Sequence, residues 1–172
     1  MKITINIILL LLFCTTEPGL FSQTQAQAPA EPKAKEEKID LGRFTDHTQF
    51  ANANEFYKLK KYDTALMLFT EYLEIYINGA HRKEAYKNVA LIYFEQFNYI
   101  KSIKSFNSLY EEYSNSEEGI EAYFMSGICY QKMGFLDNAK QIFLSLIEEH
   151  PDSNFAYQAK IKLDLIEILE HS

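Results

Sequence analysis

The chain has 172 residues, enough for one modest domain with appendages. Its hydrophobic share of 47% can fill a core, and with only 4 Pro and 6 Gly it is not a loop-rich or collagen-like chain. A net charge of -7 with no block of Lys or Arg argues against a phosphate-tracking surface, so no nucleic-acid partner is expected.

The first segment reads as an address. Lys2 gives a minimal positive start, and Ile3 to Phe13 is apolar apart from Thr4 and Asn6. Such a run is too short to span a bilayer comfortably, which takes about 20 residues, and it has the form of a secretory signal. Thr24, Gln25 and Ala26 favour cleavage after Ala26, giving a signal peptide over residues 1–26 and an exported chain. Cys14 directly follows the apolar run and is a candidate lipidation site, although Phe13 stands where bacterial lipoproteins usually carry a small residue. Membrane association through a lipidated Cys14 and retention of the uncleaved N-terminus both stay open. Residues 27–44, with Pro29, Pro32 and alternating charges, read as a flexible linker that cannot build a core.

From residue 45 to 172 the chain repeats itself. Glu84-Ala85, Glu121-Ala122 and Gln158-Ala159 lie 37 residues apart, as do Ala53, Ala90 and Gly127. The same step links Phe56, Tyr93 and Tyr130; Tyr62, Tyr99 and Leu136; Ala65, Ser102 and Ala139; and Phe69, Phe106 and Phe143. Each unit reads as two helices at a period of about 3.6. The units span about 46–79, 83–116 and 120–152. Gly134 breaks the third unit in the manner of a left-handed helix end, and the corresponding breaks fall near Lys60-Lys61 and Phe97-Asn98. Pro151 stops the sixth helix, and Asp152 or Ser153 caps a last one over 153–170. The small residues predict close approach of the paired helices, with the rings filling the space around those contacts.

The run Gly127, Tyr130, Gly134, Leu136, Ala139, Phe143 and Pro151 resembles the pattern of the tetratricopeptide repeat (TPR) family. The first two units depart from it at Lys60, Phe97, Ser102, Ile77 and Ser114. The resemblance implies an all-α fold, an α–α superhelix of three helix pairs closed by a C-terminal capping helix. The joint from His150 to Ala159 is similar to those of exported bacterial envelope TPR proteins, of the outer-membrane-assembly lipoprotein type or the Tol-Pal-associated periplasmic type. It implies an exported scaffold, periplasmic or outer-membrane associated, whose partner is a protein or peptide of the envelope.

In such a stack the first helices line a concave face. Mapped by register, that face comprises Phe50, Asn54, Tyr57 and Lys58 from the first unit and Lys87, Asn88, Leu91 and Phe94 from the second. Phe124, Ile128, Gln131 and Lys132 come from the third. Apolar anchors beside Lys58, Lys87 and Lys132 predict a bound segment with hydrophobic residues and some negative charge. A part of these rings is equally expected to pack between neighbouring units. The final helix carries two apolar stripes, Phe155-Ala159-Leu163-Ile166 and Ile161-Leu165-Ile168, so a homo-oligomer formed through it is the alternative.

No chemistry-bearing constellation stands out. His47, His81, His150 and His171 lack zinc spacing, and there is no GxSxG, HExxH or Gly-rich phosphate loop. The chain reads as a non-enzyme without metal or cofactor. Cys129 lies within a helical apolar pattern and is expected to be a buried, inert thiol.

Overall fold

A computed structural model describes residues 41–171, and the expected signal peptide, its cleavage site, Cys14 and most of the linker lie outside the described residues. Within it run α1 (Leu41–Lys58), α2 (Tyr62–Ile75), α3 (Arg82–Glu95), α4 (Tyr99–Tyr113), α5 (Glu117–Lys132), α6 (Leu136–Glu149) and α7 (Asn154–Glu170). Each helix packs on the next, and α1, α3, α5 and α7 also touch in series, as first helices of stacked pairs do. None is long and apolar enough to cross a membrane.

Helix α1 begins at Leu41, inside the stretch assigned to the linker. Its first turns are anchored. The Thr45 and Thr48 hydroxyls donate to the Gly42 and Phe44 carbonyls, each at 2.8 Å. Asp46 is buried, accepting from the Tyr72 hydroxyl and, at 2.8 Å, from the Ala80 N–H. A carboxylate committed to the first joint holds the helix in place there, which the linker-like composition just upstream conceals.

The core follows the 37-residue step. Ala53, Ala65, Ala90 and Ala139 are fully buried, and Phe69, Phe106 and Phe143 fill the space between helix pairs. At the third seam, a Cβ on Gly127 would stand 2.5 Å from the Phe143 ring, so this position tolerates only hydrogen. Ser102 replaces the alanine of the other units without leaving an orphan. Its hydroxyl donates to the Ala90 carbonyl at 2.9 Å and accepts from the Cys129 thiol at 3.5 Å. Burial pushes that thiol up to about 11, so Cys129 stays protonated and unreactive at neutral pH.

The three turns inside the pairs are built alike. The N–H groups of Lys61, Asn98 and Phe135 donate five residues back, to the Phe56, Tyr93 and Tyr130 carbonyls, at 2.9, 2.8 and 3.0 Å. Those of Lys60, Phe97 and Gly134 donate three residues back, closing the Schellman pattern of helix ends. The residue at the bend is left-handed each time: Lys60 at φ 57°, Phe97 at 59° and Gly134 at 79°. Only the third is glycine, and the other two hold a strained conformation worth about 1–2 kcal/mol each. Nothing lies within 4 Å of a Cβ built on Gly134, so Gly134→Ala is a purely conformational change. It is expected to lower stability by about 1 kcal/mol in urea denaturation, while Phe97→Gly leaves stability unchanged or raises it.

The joints between pairs differ from one another. Ser116 caps α5 by accepting from the Gly119 N–H at 3.1 Å, and Ser153 caps α7 by accepting from Ala156 at 3.0 Å. The first joint uses Arg82 instead. Its guanidinium is bidentate to Glu112 at 2.8 and 2.9 Å, donates to the Leu73 and Tyr76 carbonyls at 2.6 and 3.2 Å, and thereby ties α2, α3 and α4 together.

Candidate functional site

The face expected to bind a partner is built by one side of each first helix. At the 37-residue step Asn54, Leu91, Ile128 and Leu165 hold equivalent positions, the first three half-buried and Leu165 46% exposed. One turn further on, Tyr57, Phe94 and Gln131 are likewise half-buried, and Lys58 and Lys132 stand exposed beside them. Asn88 lies half-buried among them.

Phe50 and Phe124 are not on this face, contrary to the register reading. Phe50 is buried against Phe69 and Tyr72, each 5.8 Å away, and stacks on His81 at 4.3 Å. Phe124 is buried against Phe143 at 5.6 Å and Phe155 at 5.8 Å. Both rings turn toward the second helices, where more apolar surface leaves water than on an open face. The remaining rings are partly engaged: Phe94 meets Tyr99 edge-on at 5.4 Å, and Tyr57 lies 6.2 Å from Tyr62. Leu91 and Phe94 back onto the core cluster of the second unit, and Ile128 onto that of the third. One flank of each stays available for a visitor.

The electrostatics are more nearly balanced than the lysines suggest. Lys87 is held by Glu121 at 2.6 Å, across α3 and α5, which neutralises it. Lys58 pairs with Glu55 at 2.8 Å, but both are well exposed and one turn apart, a contact of little energy. Lys132 makes no ion pair among the described residues. Glu95 accepts from the Tyr62 hydroxyl, and that bond pushes the Tyr62 phenol up to about 12. Burial, with Glu95 nearby, also raises the Tyr57 phenol, so both remain neutral hydroxyls that can donate.

Helix α7 adds to this face, a feature the capping-helix reading passed over. Continuing the step from Ile128 gives Leu165, 46% exposed, and Ile161 one turn before it is 43% exposed, whereas its counterpart Phe124 turns inward. The signal was present in the sequence, in the register rather than in the apolar stripes. At the positions of Gly127 and Tyr130, where the third unit receives its second helix, α7 carries Asp164 and Glu167, both exposed. The side of α7 equivalent to the intra-pair seam thus carries two carboxylates, whereas Leu165 continues the row of Asn54, Leu91 and Ile128.

Among the described residues no three His, Cys, Asp or Glu side chains converge as a metal site. His47 and His81, far apart in sequence, do meet, Nδ1 to Nε2 at 2.6 Å, with Glu84 3.1 Å from the other His81 nitrogen. Spacing along the chain gives no sign of that pair, because it forms between α1 and the first joint.

Residues 121–153 match the family model of the tetratricopeptide repeat. No curated protein matches the sequence. The N-terminal domain of stress-induced protein-1 (STI-1) from C. elegans aligns with a TM-score of 0.57 at 20% identity, covering 69% of this chain and 94% of that one. The TPR2AB-domain:pHSP90 complex of yeast Sti1 gives 0.60 at 18%, covering 74% of this chain and 49% of that one. The C-terminal TPR-containing domain of an FK506-binding protein of Plasmodium falciparum gives 0.52 at 16%, covering 76% and 93%. At such identities the likeness concerns the fold: an all-α helical repeat of the tetratricopeptide kind.

Proposed function

We propose that this chain is a non-catalytic scaffold of the bacterial cell envelope that seats a segment of a partner protein on the concave side of its first helices. The observation that carries the reading is the row Asn54, Leu91, Ile128 and Leu165, one partly open side chain per helix at a constant step. Leu91, Ile128 and Leu165 are shaped to take apolar anchors. Asn54, Asn88 and Gln131 can bond the visiting backbone, and Lys58 and Lys132 suit an acidic neighbour. The TPR2AB domain of yeast Sti1, similar in fold, forms a complex with pHSP90, which supports a partner-holding role. The envelope setting rests on the signal-like residues 1–26 and on the joint from His150 to Ala159. Cell fractionation tests it directly, and a full-length chain recovered only from cytosol contradicts it.

Selection of displayed peptides on the full chain tests the groove. Selected peptides should carry apolar anchors, and Leu91→Ala with Ile128→Ala should weaken them at least about tenfold, or 1.4 kcal/mol, as loss of central anchors does. Peptides held equally well by the folded double variant overturn the reading. The exposed Ile161 and Leu165 favour a second reading, self-association through α7. Light scattering separates the two. A monomer removes self-association, and a dimer dissolved by Ile161→Ser with Leu165→Ser supports it.

A further inference from the structure

The turns inside the helix pairs fall along one edge of the stack, since each ends a first helix and begins a second. Their neighbourhood is direct. Tyr62, at the first turn, donates to Glu95 at the second, and Tyr99 and Met133 pack on one cluster across the second and third. Apolar side chains crown this edge: Leu59 is 64% exposed, Phe97 77%, Ile100 74% and Phe135 55%. Phe97 is the most telling. A bulky residue is held in the left-handed conformation at φ 59°, and among the described residues its ring meets one other ring, Tyr99, edge-on at 6.3 Å. Packing does not explain a strained backbone that keeps an aromatic ring in water.

Charge is sorted between the edges. Lys60, Lys61, Lys101 and Lys104 are exposed around the apolar tips. Of the acids nearby, Glu55 faces Lys58 and Glu170 faces Lys140, while Asp63, Glu95, Asp137 and Glu167 keep their charge, Glu95 accepting only from the neutral Tyr62 hydroxyl. The opposite edge, where pairs join, gathers Glu111, Glu112, Glu117, Glu118, Glu148 and Glu149, of which Glu112 is paired with Arg82 and Glu118 with Lys83, so acids outnumber cations there. A chain of net charge -7 thus sets four exposed lysines beside these apolar tips and its excess of carboxylates at the other edge.

We propose that the turn edge rests on an anionic lipid surface, with Phe97 and its neighbouring tips entering the headgroup layer and the lysines meeting lipid phosphates. Single apolar tips flanked by lysines suit shallow entry, with the lysine stems lying along the apolar boundary and their ammonium groups at the charged surface. The acidic joint edge is turned away from the like-charged surface. This seat is separate from the groove, which lies on helix sides rather than helix ends.

The chain has no Trp, so Phe97→Trp in the full-length protein gives a single reporter at the proposed depth. Its emission should shift to the blue and be quenched by brominated lipid in phosphatidylcholine–phosphatidylglycerol vesicles, and severalfold less in phosphatidylcholine alone. A Leu144→Trp reporter, on the exposed side of α6, should stay at the solvent value. A Phe135→Trp reporter should also be quenched, and adding Phe97→Gly should reduce that quenching severalfold while the fold persists. Unchanged emission from Phe97→Trp overturns the proposal, even if the protein sediments with vesicles through another segment. So does a blue shift that appears without lipid as concentration rises, which marks a second copy as the occupant, or one elicited only by an acidic protein.

Discussion

Replacing Arg82 with methionine is expected to lower stability by about 3 kcal/mol in urea denaturation. The side chain is 9% exposed and answers five acceptors, the two Glu112 oxygens, the Leu73 and Tyr76 carbonyls and the Tyr86 hydroxyl. Methionine fills similar volume but takes the guanidinium from Glu112, which retains the Tyr113 and Tyr86 hydroxyls, and leaves the end of α2 unanswered. Breaking a buried pair costs about 3–5 kcal/mol. Glu112 is 35% exposed, so water recovers part of that and the lower end applies. The pH dependence carries a signature. The bond from Arg82 holds the Glu112 carboxyl down at about 2, against 4.5 for a free glutamate. A lowered folded pKa means the stabilisation is complete above about 4.5 and lost as pH falls toward 2. The gap between wild type and Arg82→Met should therefore close over that range. A gap that stays constant assigns the loss to packing and the carbonyl bonds instead.

Gly119→Ala is expected to cost about 3 kcal/mol, although alanine is the better helix former. A Cβ at this position would stand 2.0 Å from the Tyr113 carbonyl oxygen and 2.7 Å from its carbon. Both are backbone atoms at the end of α4, so no rotamer change relieves the clash. The joint must open, straining the Ser116 cap on the Gly119 N–H. The equivalent residue 37 positions on is Ala156, fully buried without strain, because His150 and Pro151 take the chain by another path. The contrast is the check: Ala156→Gly should lose only the helix-propensity difference, about 1 kcal/mol. Equal and small losses at both sites, read by thermal and urea unfolding, contradict the packing of the second joint.

The helix pairs were legible because the constraint on them is periodic. A small residue opposite a ring, repeated every 37 positions from Ala53 to Phe143, can hardly encode anything but close helix contact. The left-handed ends at Lys60 and Phe97 were legible only by alignment with Gly134, since neither residue announces the conformation it adopts. The face was legible to within a helix side. Phe50 and Phe124 lie in the right register but turn inward, and no one-dimensional spacing states which flank of a ring finds more apolar surface. The ties made by Arg82 and Asp46 join residues 30 and 26 positions away, as side-chain bonds outside any period, and leave no trace in composition. Helix α7 reads as a cap when its stripes are taken alone, and as a fourth groove wall when the step is carried forward from Ile128 to Leu165.

Methyl NMR of the Ile- and Leu-labelled chain, titrated with a selected peptide, tests the concave-face reading most directly. Leu91, Ile128, Ile161 and Leu165 report from the first helices and α7, whereas Leu68, Ile100 and Leu144 report from second helices. Binding on the concave face should move the first group and leave the second in place. Shifts confined to Leu68, Ile100 and Leu144 would put the partner on the outer surface and contradict the groove.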